Sequence, residues 1–161
     1  MNSAQYPIGT PGQPWGDSER AHWQSLQRTQ RSYARDVVTV IERLRERFDV
    51  QRYGELSYPP DHYPLYALRS RGFRDDRPLV LVTGGVHGYE TSGVHGALLF
   101  LDQYAERYQD RVNLLVAPCI SPWAYERIHR WNPQAVDPNR SFREPSPAEE
   151  AAALMRLVQP V

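Results

Sequence analysis

Apolar residues recur with a helical period over the first third of the chain. From Asp17 or Ser18 onward, Trp23, Leu26, Tyr33, Val37, Ile41, Leu44 and Phe48 fall at spacings of three, four or seven. This spacing predicts a surface helix with one buried and one charged face, with a break near Gln30. The pattern then shortens. "FDVQRYGEL" (48–56) and "YPLYALRSR" (63–71) read as two strands joined by the proline-rich turn "SYPPDHY". "RPLVLVT" (77–83) is a continuous apolar run suited to a strand buried on both faces, and "RVNLLVAP" (111–118) reads as another buried strand. Between them, "TSGVHGALLFLDQYAERY" (91–108) carries Val94, Leu98, Leu101 and Ala105 as a helical stripe, with Thr91 or Ser92 placed to cap its start.

Strand, helix, strand is a βαβ unit. The expected fold class is therefore α/β, a mixed, partly parallel sheet with helices on both faces. Residues 119–145 lack periodicity and read as a long loop. The last element, "SPAEEAAALMRLV", begins with a capping box of Ser146 and Glu149 and has Pro147 at the first helical position. The chain stops at Val161 just beyond it, where an α/β pattern normally continues into another strand, so the expected domain is an incomplete one. Residues 1–16 hold three prolines and three glycines and read as an extended arm, with residues 17–161 as the domain portion.

Composition narrows the class of partner. Apolar residues make up 40% and charged residues 24% of 161 residues, ordinary values for a soluble globular protein. The formal charge is zero and every cationic side chain is a dispersed arginine, so no basic field points to nucleic acid. No run is long and apolar enough to span a bilayer, and the N-terminal stretch has no apolar core of the secretory kind. Cys119 is the single cysteine, which excludes an internal disulfide framework. Together these features predict a cytoplasmic protein.

Candidate chemistry begins with "GGVHGYETSGVHG" (84–96), which contains Gly-Val-His-Gly twice. His87 follows a predicted strand directly, in a glycine-rich turn with Glu90 three residues on. Side chains at the end of a parallel strand point into the crevice where α/β folds bind ligands. Imidazole and carboxylate together suit a metal, but catalytic zinc takes three protein ligands plus water. On spacing alone the pattern is weak, and a solvated loop histidine beside a helix-start glutamate is the better reading. His95 lies a turn inside the next helix with Leu99, not a carboxylate, at i+4, and reads as a packed or half-exposed helix histidine. The second constellation is "RWNPQAVDPNRSF" (130–142), with Arg130, Asn132, Asp137, Asn139, Arg140 and Phe142. Its arginines suit a planar carboxylate. Equally, they could pair with Asp137, Glu126 or Glu144 and only tie the loop down.

Taken together, "GGVHGYE", a helix, a strand and then "RWNPQAVDPNR" resemble the zinc metallocarboxypeptidases of the carboxypeptidase A/B-like superfamily. The resemblance runs from about Tyr33 to the chain end. It implies that His87 and Glu90 are ligands to one zinc ion, that Arg130 polarises the scissile carbonyl, and that Asn139 and Arg140 grip the substrate's terminal carboxylate. It implies hydrolysis of a C-terminal peptide bond, with a peptide or acyl-amino-acid substrate carrying a free carboxylate. Ala135 and Pro138 depart from the family pattern without touching the ligand positions. The family's third zinc ligand, general-base glutamate and substrate-contacting tyrosine come from later elements, so none is identified in this chain. His62 and His129 stand as substitute ligands and Glu126 or Glu144 as a substitute base. Aspartoacylase-like deacylases and murein-peptide amidases share much of the pattern. A non-catalytic truncated relative and a Cys119 nucleophile complete the alternatives.

Overall fold

The computed structural model describes residues 7–58 and 62–159. Among these the sheet has four strands in the order β1-β2-β4-β3: β1 Phe48–Leu56, β2 Tyr63–Ser70, β3 Leu79–Thr83 and β4 Asn113–Ala117. β1 and β2 form an antiparallel hairpin whose register shifts between Arg52 and Gly54. β2 pairs antiparallel with β4, and β4 pairs parallel with β3. The sheet is thus mixed, with the parallel pair where the βαβ unit places it. Residues 59–61 of the hairpin turn lie outside the described residues.

Side chains alternate across β4 as the pleat requires. Leu114 and Val116 join the large core cluster with Val37, Ile41, Leu98 and Leu101, while Ala117 packs with Ile120 and Leu154 on the other side. α2 (Thr39–Leu44) and α3 (Thr91–Gln103) supply the first layer, and α5 (Glu149–Val158) the second. The result is an α/β/α arrangement with helices on both faces.

The expected break near Gln30 is present: the N-terminal helix is two pieces, α1 (Asp17–Ser25) and α2, the latter preceded by a π-helical turn at Ala34–Val38. Other local expectations change. Phe48 belongs to β1, and Leu26 is 53% exposed rather than buried. The break has a tertiary cause. Gln30 N and Arg31 N donate to the Glu126 carbonyl, and the Arg31 guanidinium donates to the carbonyls of Tyr125 and Gly88 and to Thr91 Oγ1. Thr91 is thereby engaged by Arg31. α3 starts after Glu90 with no side-chain cap, and it ends at Gln103 before a 3₁₀ turn at Ala105–Tyr108.

The expected long loop contains a helix, α4 (Pro122–Arg127), whose Trp123 and Tyr125 are buried. Too short for a periodic signature, it shows in sequence only as Ser121-Pro122, with proline at its first turn. The capping box at Ser146 does not form. α5 begins at Glu149, and its carboxylate accepts from the backbone N–H and hydroxyl of Ser57.

β3 departs most from expectation. Its run was suited to burial on both faces, yet Leu79 is 56% exposed, and Val80 and Leu81 are exposed as well. β3 is the sheet's edge strand, so among the described residues it has one neighbour and partial cover from α3. Residues 7–16 form turns that seat Ile8 and Trp15 on the main cluster, and residues 1–6 of the expected arm lie outside the described residues. No helix among the described residues is long and apolar enough to cross a membrane.

Candidate metal centre

The parallel pairing continues past β3 into the glycine turn. Ile120 N and Ser121 N donate to the carbonyls of Gly84 and Gly85, and the Ser121 hydroxyl donates to the Val86 carbonyl. Gly85 takes φ +60°, which turns the chain out of the strand at little steric cost. Gly88 has a different need: a Cβ there would lie 1.9 Å from the Ala124 carbonyl carbon. The turn is therefore pressed against α4, and Tyr89 N donating to the His129 carbonyl closes it.

This clasp presents His87 at the C-terminal end of β3, only 5% exposed. Both ring nitrogens meet carboxylates. Nδ1 lies 2.9 Å from Glu90 Oε1, and Nε2 lies 2.8 Å from Asp137 Oδ1. Asp137 is the hub. Its Oδ2 accepts from Arg130 Nε at 3.1 Å and Nη2 at 2.9 Å, and its Oδ1 also accepts from Asn139 N at 2.9 Å. Burial pushes the Asp137 carboxyl up, but hydrogen bonds from His87 and Arg130 outweigh it and hold the group below its ordinary value of 3.8. Arg130 Nη1 reaches the Tyr89 hydroxyl at 3.4 Å. Three of five guanidinium N–H groups are engaged in this way, leaving two for another acceptor.

The two motifs, separated by a helix, a strand and α4, thus meet at His87 and Asp137. Asn139 and Arg140 lie on the next 3₁₀ turn (Pro138–Arg140) with exposed side chains. The other candidates stay apart. His62 is exposed and pairs with Glu55 at 3.2 Å. His129 packs edge-on against Trp23, and burial lowers its pKa. Glu126 accepts from Tyr33 N and the Tyr63 hydroxyl, Glu144 is exposed, and His95 is exposed on α3 with Nε2 3.2 Å from the Tyr125 hydroxyl. Burial raises the Cys119 thiol pKa well above normal, which leaves it a poor nucleophile.

The donor set suits zinc in part. Two ligands about 2.0–2.1 Å from one ion must lie within about 4 Å of each other, and His87 Nδ1 and Glu90 Oε1 do. A metal-ligating histidine usually gives its other ring N–H to a carboxylate, which Asp137 provides. Among the described residues no group of three or more His, Cys, Asp or Glu is placed to hold a metal ion. In the sequence Asp137 reads only as a partner for arginine. Its signal was its place between Arg130 and Asn139.

No protein-family model matches the chain, and no curated protein matches it by sequence. Solved structures do. A protein assigned as a metallopeptidase from Shewanella amazonensis is 28% identical with a TM-score of 0.61, over 75% of this chain and 46% of its own. Its counterpart from Shewanella baltica is 27% identical with a TM-score of 0.64, over 76% and 48%. A metallo-carboxypeptidase from Burkholderia cenocepacia shares the fold at 16% identity and a TM-score of 0.62, over 75% and 36%. The chain has a carboxypeptidase-like fold, shared with these solved metallopeptidases, and spans less than half the length of these relatives.

Proposed function

We propose that this chain carries the histidine–glutamate half of a zinc site for hydrolysing the C-terminal peptide bond of a peptide with a free carboxylate. The observation that carries the reading is His87 held between Glu90 and Asp137 at the mouth of the parallel strand pair. His87 Nδ1 and Glu90 would hold the ion, and a bound zinc supplies Lewis acidity toward a carbonyl at neutral pH. Asp137 fixes the His87 ring so that Nδ1 faces the metal position. Arg130, oriented by the same carboxylate, directs its remaining N–H groups at the carbonyl oxygen, where such a donor contributes about 3–4 kcal/mol as negative charge develops. Asn139 and Arg140 take the terminal carboxylate, the exposed guanidinium offering a bidentate grip. A third ligand and a general base complete such a site, and neither is assigned among the residues here.

Ligand binding to the zinc-supplemented chain tests the reading. A dipeptide with a free C-terminal carboxylate should bind, its C-terminal amide should bind at least about 10-fold more weakly, and Arg140→Ala should abolish the difference. Equal binding of acid and amide contradicts the carboxylate role. Preference for a simple N-acyl amino acid over the dipeptide favours the deacylase chemistry that the Asp-x-Asn-Arg pattern also allows.

A further inference from the structure

Glu150, in the first turn of α5, is 1% exposed. Carboxylates are rarely buried this deeply unless paired. Its partner is a neutral phenol: the Tyr58 hydroxyl, just beyond β1, donates to Glu150 Oε2 at 2.5 Å. Burial pushes the Glu150 carboxyl up, while hydrogen bonds from Tyr58 and Asn132 oppose that shift. A phenol has one hydrogen to give and lone pairs to receive. Donation to Glu150 therefore sets the hydroxyl's orientation and leaves its lone pairs facing Asn132 Nδ2 at 3.2 Å and Glu149 N at 3.3 Å.

Asn132 is itself buried and shapes the site loop. Its Oδ1 accepts from Gln134 N at 3.1 Å and Val136 N at 3.0 Å, and its own N–H donates to the Val136 carbonyl at 3.0 Å. These bonds close residues 132–136 into a turn that includes Ala135 at φ +58°, where a non-glycine residue needs outside support. Arg130 lies just before the turn and Asp137 just after it. The turn therefore sets where Asp137 stands between Arg130 and His87.

We propose that Glu150 is a positioning residue for this site: by accepting the Tyr58 hydroxyl it aims Tyr58 at Asn132, and so holds the turn that places Asp137 between Arg130 and His87. The inference goes beyond the peptidase reading, because it concerns the geometry of the loop whatever reaction the loop serves. A buried network of this kind specifies one arrangement only when every member is satisfied.

Nitrogen-15 spectra of the full 161-residue chain test it. The Arg130 Nε–H and His87 Nε2–H signals report the two bonds to Asp137 directly. In Glu150→Ala both signals should shift or be lost to exchange, while sheet amide signals stay in place. Glu150→Gln, which keeps an acceptor for the Tyr58 hydroxyl, should restore both. Tyr58→Phe keeps the ring in the core and should reproduce the alanine result, and it decides the matter if Glu150→Ala does not fold. Unchanged Arg130 and His87 signals in a folded Tyr58→Phe or Glu150→Ala protein overturn the proposal, as does failure of Glu150→Gln to restore them. Failure of the peptidase reading, seen as no zinc or carboxylate binding, leaves these signals as they are.

Discussion

Asp137 Oδ1 stands 2.8 Å from His87 Nε2, fifty residues apart in the chain, and the same carboxylate holds the Arg130 guanidinium on its other oxygen. A single side chain therefore orients both the candidate ligand and the candidate electrophile. Replacing Asp137 with alanine should weaken zinc binding about 10–100-fold, the usual cost of removing a carboxylate behind a ligating histidine. Isothermal titration with zinc measures it. Unchanged affinity would mean that His87 is oriented by its glycine turn alone.

The duplicated Gly-Val-His-Gly gives two alanine substitutions opposite expectations. Gly88→Ala drives a Cβ to 1.9 Å from the Ala124 carbonyl carbon, so the turn must lift off α4. Urea unfolding should show a loss of at least about 3 kcal/mol, or no folded protein. Gly96 sits in α3 with nothing within 4 Å of an added Cβ. Gly96→Ala should raise stability by up to about 1 kcal/mol through helix propensity.

Where apolar periods are long and buried among the described residues, the sequence reads correctly. The hairpin limits, β4, the α3 stripe and the βαβ pairing all follow from local pattern. Two features leave no local trace: Ser57 claims Glu149 from its capping box, and the edge position of β3 among the described residues leaves an apolar run exposed. The site divides in the same way. His87, Glu90 and Arg130 stand out by motif, whereas the central place of Asp137 needs the two loops brought together.

Glu150 should give stability a pH dependence of its own. Burial raises its folded-state pKa above the 4.5 of an exposed glutamate, with Tyr58, Asn132 and Glu149 the groups around it. Between the unfolded and folded values the native protein binds the extra proton. This contribution is complete below about pH 4.5 and is lost as pH rises through the folded value. The difference in unfolding free energy between wild type and Glu150→Gln should thus fall as pH rises above 4.5 and then level off. A flat difference would mean that the carboxyl titrates normally.

Cys119 is buried, and burial raises its thiol pKa. A thiol-reactive disulfide reagent should label it only as fast as the protein opens, with full reactivity in denaturant. Rapid stoichiometric labelling in native buffer would return the thiol to the list of candidate nucleophiles.

On the proposed reading, His87 and Glu90 form the metal-binding half of a hydrolytic site. The most direct measurement is a zinc titration of the ¹⁵N-histidine-labelled chain, following the ring nitrogens of all five histidines. The predicted result is a selective change at His87 Nδ1, with Nε2 still protonated toward Asp137, that disappears in Glu90→Gln. Zinc that shifts His22, His62, His95 or His129 and leaves His87 Nδ1 untouched would contradict the account.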